Sequence, residues 1–155
     1  MRGYEVEVGI REGAQPATGR VYRHNRRDDD ILREWIAQAT EQDIIEPSTS
    51  PWRAGVLCVP KNNGQVGLQG TRIVHDFRLC NELLESVTWP APRVQDMLEE
   101  LSGAQFMSCL DLKAAFHQLP VKAGPDRDRL TFCTRHGCWK FKVMPMGLRT
   151  ASAYF

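Results

Sequence analysis

Apolar residues recur at helical spacing through "RRDDDILREWIAQATEQD" (26–43), where Ile31, Leu32, Trp35, Ile36 and Ala39 fall on one stripe. Asp28 to Asp30 supply an N-cap and negative charge at the positive end of the helix dipole. Pro47 and Pro51 forbid its continuation. "GVLCVP" (55–60) and "TRIVHDF" (71–77) are β-type runs, and the Asn- and Gly-rich "KNNGQVGLQG" between them predicts a hairpin loop. "PAPRVQDMLEELSGA" (90–104) is a second helix, with Val94, Met97, Leu98 and Leu101 at helical spacing, a proline start and Gly103 as its stop. A strand "QFMSCLDL" (105–112) then runs into the helix-like "KAAFHQ" (113–118). "RLTFCT" and "CWKFKVMP" flank "RHG" as a second hairpin, and "GLRTASAYF" opens a last helix. Residues 1–26, punctuated by Gly3, Gly9, Gly13, Pro16 and Gly19, form an extended lead-in in which "YEVEV" allows a short strand. Residues 27–155 are then one folded unit. Alternating strands and helices predict an α+β domain on an antiparallel sheet.

Composition narrows this picture only a little. Apolar and charged fractions of 42% and 25% are those of an ordinary globular protein. A net charge of +1 gives no global pull toward nucleic acid, so any such binding must come from local patches. The five cysteines are odd in number and irregular in spacing, which predicts reduced thiols and not a disulfide framework. "MRGYEVEVGIREG" lacks the apolar core of a signal peptide, and no apolar run is long enough for a bilayer. The expectation is a soluble intracellular protein without a membrane partner, with cytoplasm and nucleus left undistinguished.

Two local patterns invite chemistry. In "FMSCLDLKAAFHQLPV" the carboxylate of Asp111 stands between Leu110 and Leu112. A charge so placed costs several kcal/mol if buried and unpaired. Locally it reads as a helix cap at a strand-to-helix junction; the other reading is a metal ligand at the end of a central strand. "CTRHGC" (133–138) suggests zinc, but four ligands at knuckle spacing are missing, so it reads as a hairpin tip with incidental thiols. In "WKFK" (139–142) aromatic and basic residues alternate, which fits a strand beside nucleic acid and a half-exposed strand equally well.

The order of longer motifs decides between the readings of Asp111. "PSTSPW" (47–52), "RIVHDFRLCN" (72–81), "PAPRVQDMLEEL" (90–101), "LSGAQFMSCLDLKAAFHQLPV" (101–121), "LTFCTRHGCWKFKVMPMGL" (130–148) and "ASAYF" follow one another with sensible gaps. Together they resemble the reverse transcriptase of gypsy-type LTR retrotransposons and its retroviral relatives, over roughly residues 8–155. The resemblance implies a polymerase right-hand fold, of which this chain holds the fingers and part of the palm, stopping before the second catalytic hairpin. It implies an RNA-directed DNA polymerase, a nucleotidyltransferase that uses Mg²⁺, deoxynucleoside triphosphates and an RNA or DNA template-primer.

By that resemblance Asp111 is the first catalytic aspartate, and its carboxylate with the Leu112 carbonyl is a metal-ligand pair of the hard oxygen type Mg²⁺ takes. Phe116 is the ring beneath the nucleotide sugar, where it clashes with a 2′-hydroxyl and favours deoxynucleotides. Lys61 and Arg72 fold over the triphosphate. Met146, Gly147 and Arg149 lie along nucleotide and template, while Asp76 and Arg78 form a structural pair or touch the template. The chain departs from the family at a longer 62–71 tip, at Met146 (Gln or Phe in relatives) and at Ser152 (usually Pro). No Tyr-x-Asp-Asp sequence is present. The isolated chain is therefore expected to be inactive, with apolar sheet edges exposed until the remaining palm, thumb and RNase H segments of a polyprotein cover them. The reading from another class is a non-catalytic retroelement remnant that binds nucleic acid or a protein partner. An RNA-dependent RNA polymerase is disfavoured by Phe116.

Overall fold

The chain's first helix begins where a side chain supplies the missing hydrogen bond. In the computed structural model, which describes residues 4–62, 64–87 and 93–154, α1 spans Arg26–Glu41, and Asn25 is its N-cap, Oδ1 accepting from the Asp28 N–H at 2.8 Å. The cap is thus Asn25 and not one of Asp28–Asp30. Asp28 and Asp29 instead sit in the first turn, where their charge meets the positive end of the dipole. Ile31, Leu32, Ile36 and Ala39 are buried along the expected stripe. Asp43, at φ 59, turns the chain out of the helix and into β1 (Ile45–Pro47).

Two antiparallel sheets follow. The hairpin of β2 (Gly55–Pro60) and β3 (Thr71–Asp76) pairs from Gly55↔Asp76 to Pro60↔Thr71. The second sheet has the order β1-β5-β4, with β4 at Thr131–Thr134 and β5 at Gly137–Phe141. Ala54 joins the two: its N–H donates to the Thr131 carbonyl at 2.9 Å, and its own carbonyl accepts from Cys133 at 3.0 Å. Helix α2 (Arg78–Leu83) follows β3, the short helix α4 (Pro125–Asp128) precedes β4, and α5 (Ala151–Tyr154) follows β5. The lead-in is tied into this body, since Val6 bridges Val121 and Ile10 bridges Leu84. Val6 and Val8 are buried with Leu32, Ile45, Val56, Phe77, Leu130, Phe132, Phe141 and Met144 in one core. Each such side chain contributes about 1.5–3 kcal/mol on burial. Among the described residues no helix is long and apolar enough to cross a membrane.

Four expectations are corrected. Residues 105–112 are not a strand: the backbone there is irregular and every side chain is exposed. A central strand exists only through pairing, because its N–H and C=O groups need partners, and this run pairs with none of the described strands. Helix α3 (Val94–Glu100) forms at the predicted place but buries nothing, and the prolines at 90 and 92 that were to start it lie outside the described residues. "KAAFHQ" yields only a 3-10 turn, Ala115–Gln118, entered through Ala114 at φ 50. Finally, Cys133 and Cys138 are disulfide-bonded and are neither reduced nor incidental. The two-residue tip sets them directly opposite each other in the β4–β5 register, a proximity that counting cysteines does not detect.

Candidate nucleotide-binding cleft

The β2–β3 hairpin raises two cations above the sheet. Lys61 follows β2 and Arg72 is the second residue of β3, and Gly70 closes the loop by accepting from the Lys61 N–H at 2.8 Å. Within the long tip, Thr71 Oγ1 donates to the Gly67 carbonyl at 2.8 Å and Lys61 Nζ to the Gln69 carbonyl at 3.0 Å. Below them lies a cleft of about 570 Å³. Trp35 and Gln38 of α1, His75 of β3, Phe141 of β5, His117 of the 3-10 turn, Lys113 and Met146 complete its wall. Among the described residues three cations and no carboxylate line it, so its field favours an anion.

His75 is a buried titratable group of the cleft wall. Its ring packs against Phe132 at 4.6 Å, Phe141 at 4.9 Å and Trp35 at 5.1 Å between centroids. Burial, with a smaller contribution from His117, pushes its pKa down to about 3, so the imidazole is neutral at physiological pH. Its Nε2 has no hydrogen-bond partner. Burial lowers the pKa of His117 as well.

The sequence-predicted residues divide into groups. Lys61, Arg72 and Met146 come together on the cleft. Phe116 is half-buried against the core and does not line the cleft, although its sequence neighbour His117 does. Gly147 and Arg149 are engaged elsewhere: Asn81 donates through Nδ2 to the Gly147 carbonyl at 2.8 Å and accepts from the Arg149 N–H at 2.9 Å. The Arg149 guanidinium donates to the Leu84 carbonyl at 2.6 Å, fixing the chain after β5 to α2. Gly147 sits at φ 94, a conformation glycine adopts without strain. Asp76 and Arg78 form a two-pronged pair at 2.7 and 2.8 Å, with the Tyr22 hydroxyl donating to Asp76 at 2.7 Å. Arg78 above all holds the Asp76 carboxyl far below the usual carboxylate range.

Asp111 and Leu112 lie on the exposed run before the 3-10 turn. As metal ligands, one carboxylate and one carbonyl are the right kind of donor for Mg²⁺ and fewer than its octahedral shell requires. Among the described residues no group of three or more His, Cys, Asp or Glu side chains is placed to hold a metal ion. Sequence reasoning missed Trp35, His75, Lys113 and His117 as parts of the cleft. His75 carried a signal, since it lies in phase with the inward face of its strand, where a titratable residue is unusual.

No family model matches the chain. Over 98% of its length it is 32% identical to the Pol polyprotein of transposon 412 of Drosophila melanogaster, of which it covers 12%. It is 32% identical to the Pol polyprotein of transposon gypsy from the same fly over 91% of the chain and 14% of that protein. The Tf2-3 transposon polyprotein of Schizosaccharomyces pombe is 28% identical over the full chain and 11% of its own length. Among solved structures, prototype foamy virus protease-reverse transcriptase superposes with a TM-score of 0.79 at 20% identity, over 96% of this chain and 19% of that one. A foamy viral protease-reverse transcriptase in complex with double-stranded DNA gives 0.74 at 17% identity, over 98% and 25%. The fold is therefore the mixed helix and antiparallel sheet of a reverse transcriptase's fingers and partial palm. In sequence the chain is similar to the Pol polyproteins of these retrotransposons, and it spans about an eighth of the curated relatives' length.

Proposed function

We propose that this segment forms the nucleotide-facing fingers and the first part of the palm of an RNA-directed DNA polymerase. The observation that carries the reading is the convergence of Lys61, Arg72 and Met146 on one carboxylate-free cleft. Arg72 offers a planar fork to phosphate oxygens and Lys61 a point charge, so a deoxynucleoside triphosphate is the anion that suits them. Phe116, half-buried against the core and next in sequence to His117 of the cleft wall, would select against a 2′-hydroxyl. The template-primer, RNA or DNA, is the second substrate; the foamy viral relative seen with double-stranded DNA supports a nucleic-acid partner.

Asp111 and the Leu112 carbonyl would hold part of a Mg²⁺ shell. When bound, the ion neutralises phosphate charge and lowers the pKa of the attacking hydroxyl. Water and phosphate oxygens would fill much of the rest of the shell, and the further carboxylates a two-metal site uses are not brought together among the described residues, so the 155-residue chain binds nucleotide and does not extend primers. Titration with a deoxynucleoside triphosphate tests the reading, because Trp35 in the cleft wall reports occupancy by its fluorescence. Saturable quenching, weakened about 10–100-fold by Lys61→Ala or Arg72→Ala through loss of a charged hydrogen bond, is expected. Equal affinity in wild type and both variants would place the triphosphate elsewhere and sink the reading.

A further inference from the structure

The β4–β5 tip carries a bonded cysteine pair that polymerase chemistry does not use. Cys133 is buried and Cys138 half-exposed, and the bond between them closes the four residues Thr134–Gly137 into a small loop. That loop holds α1. Its His136 Nε2 meets Asp29 Oδ1 at 2.8 Å, and Arg135 Nε lies 3.9 Å from the same oxygen, while Arg33 of α1 approaches the other at 3.6 Å. Asp29 is a buried carboxylate in the first turn of α1, so the groups that offset its charge come largely from the tip. The other thiols differ in kind: burial pushes Cys58 and Cys80 up to about 11, and Cys109 stands exposed on the irregular run without a bonded partner.

We propose that Cys133–Cys138 is a reversible thiol–disulfide site, reacting with small thiols and their disulfides, whose state sets how firmly the β4–β5 tip grips α1. A small thiolate attacks Cys138 Sγ, the accessible sulfur, and forms a mixed disulfide; Cys133 Sγ leaves with the bonding electron pair and takes up a proton. A second small thiol cleaves the mixed disulfide. The net change is two protein thiols gained and one small-molecule disulfide formed, a two-electron exchange that the same disulfide reverses. With the cross-link open, the tip that carries Arg135 and His136 keeps its β4–β5 pairing and the His136 N–H to Thr134 Oγ1 bond but loses its covalent closure. The loss of conformational restriction then falls on the tip and on the first turn of α1. None of this depends on nucleotide binding.

The test uses the full chain equilibrated with glutathione at graded ratios of reduced to oxidised form, quenched in acid and alkylated in denaturant for mass measurement. The count of alkylated cysteines should climb from three to five with one midpoint and return on reoxidation. Trypsin cleavage after Arg135 in the native chain should accelerate at least tenfold across the same range, and Tm should fall by about 5 °C. The double variant Cys133→Ser/Cys138→Ser should be cleaved at the fast rate whatever the ratio. A count fixed at five, a count fixed at three, or tip cleavage indifferent to the ratio would each overturn the proposal. Alkylation and cleavage decide it even if the double variant folds too poorly for a melting curve.

Discussion

Phe132 and Phe106 mark the two regimes of this molecule. Phe132, in the middle of β4, is 0% exposed and touches the rings of Trp35, His75, Trp139 and Phe141. Phe106, on the run that leads to Asp111, is 93% exposed. Both lie in apolar, β-type stretches. Phe132 is buried because β5, Ala54 and α1 surround its strand, whereas the 105–112 run pairs with none of the described strands. Apolar character thus qualifies a residue for the core, and the arrangement of neighbouring elements decides whether it enters. The contrast also separates duties: the packed body carries the stability and raises Lys61 and Arg72, while the exposed run carries the carboxylate on which catalysis would turn.

If the duties are divided in this way, Asp111→Asn has the largest effect on activity and almost none on folding. In a polymerase that includes the downstream aspartates, nucleotide incorporation should fall about a thousandfold, the equivalent of roughly 4 kcal/mol of lost transition-state stabilisation. In the 155-residue chain the same change should leave the denaturation midpoint within about 0.5 kcal/mol of wild type, as exposed substitutions do. Retained incorporation would remove Asp111 from the site; a large stability loss would place it in a packed environment.

Phe132→Ala comes next and should act the other way round. A buried phenylalanine truncated in a core costs about 3–5 kcal/mol, enough to unfold a domain of ordinary stability. Urea denaturation monitored by tryptophan fluorescence measures it. A cost under about 1 kcal/mol would mean the core around β4 is loose and the contrast with Phe106 false.

Much of this division was legible in the sequence. The stripe of α1 and both hairpins follow from periodicity and turn residues, because each is decided by contacts close in the chain. Lys61 and Arg72 flank a Gly-rich tip, so their common cleft was foreseeable from the hairpin and the family resemblance together. Three things were not. Asn25 outcompeted Asp28–Asp30 as the cap because it stands one residue before the helical run, a boundary that propensity locates poorly. The disulfide needed the register of β4 and β5, which spacing alone leaves open. The 105–112 run has a strand's composition, yet a strand is a property of a pair, and the pair is not written in one segment.

His75 supplies a pH signature of the packed region. Its folded pKa, near 3, lies below the ordinary histidine value of about 6.5, so the unfolded chain binds the proton more readily in that window. Stability from the neutral ring is complete above pH 6.5 and is lost as pH falls toward 3; His117, also lowered, acts in the same sense. Between pH 7 and 5 the loss should be on the order of 2 kcal/mol. His75→Phe removes the titration and the unpartnered Nε2, and should flatten most of that slope in denaturation curves at the two pH values. An unchanged slope would assign it to other groups.

Phe106→Ser is the smallest expected effect and the sharpest test of the contrast. With the ring already in water, its removal forfeits almost no burial, and the midpoint should move by less than about 0.5 kcal/mol. Self-association should fall, because Phe106, Met107 and Leu110 present an apolar run that other copies can bury. Denaturation and light scattering on the same samples separate the two readouts. A loss approaching that of Phe132→Ala would show that residues 105–112 pack in solution, and the run would then be a strand with a partner. A small loss in the 155-residue chain, turning into several kcal/mol in a longer polymerase, would show instead that Phe106 is a core residue whose core is completed by later sequence.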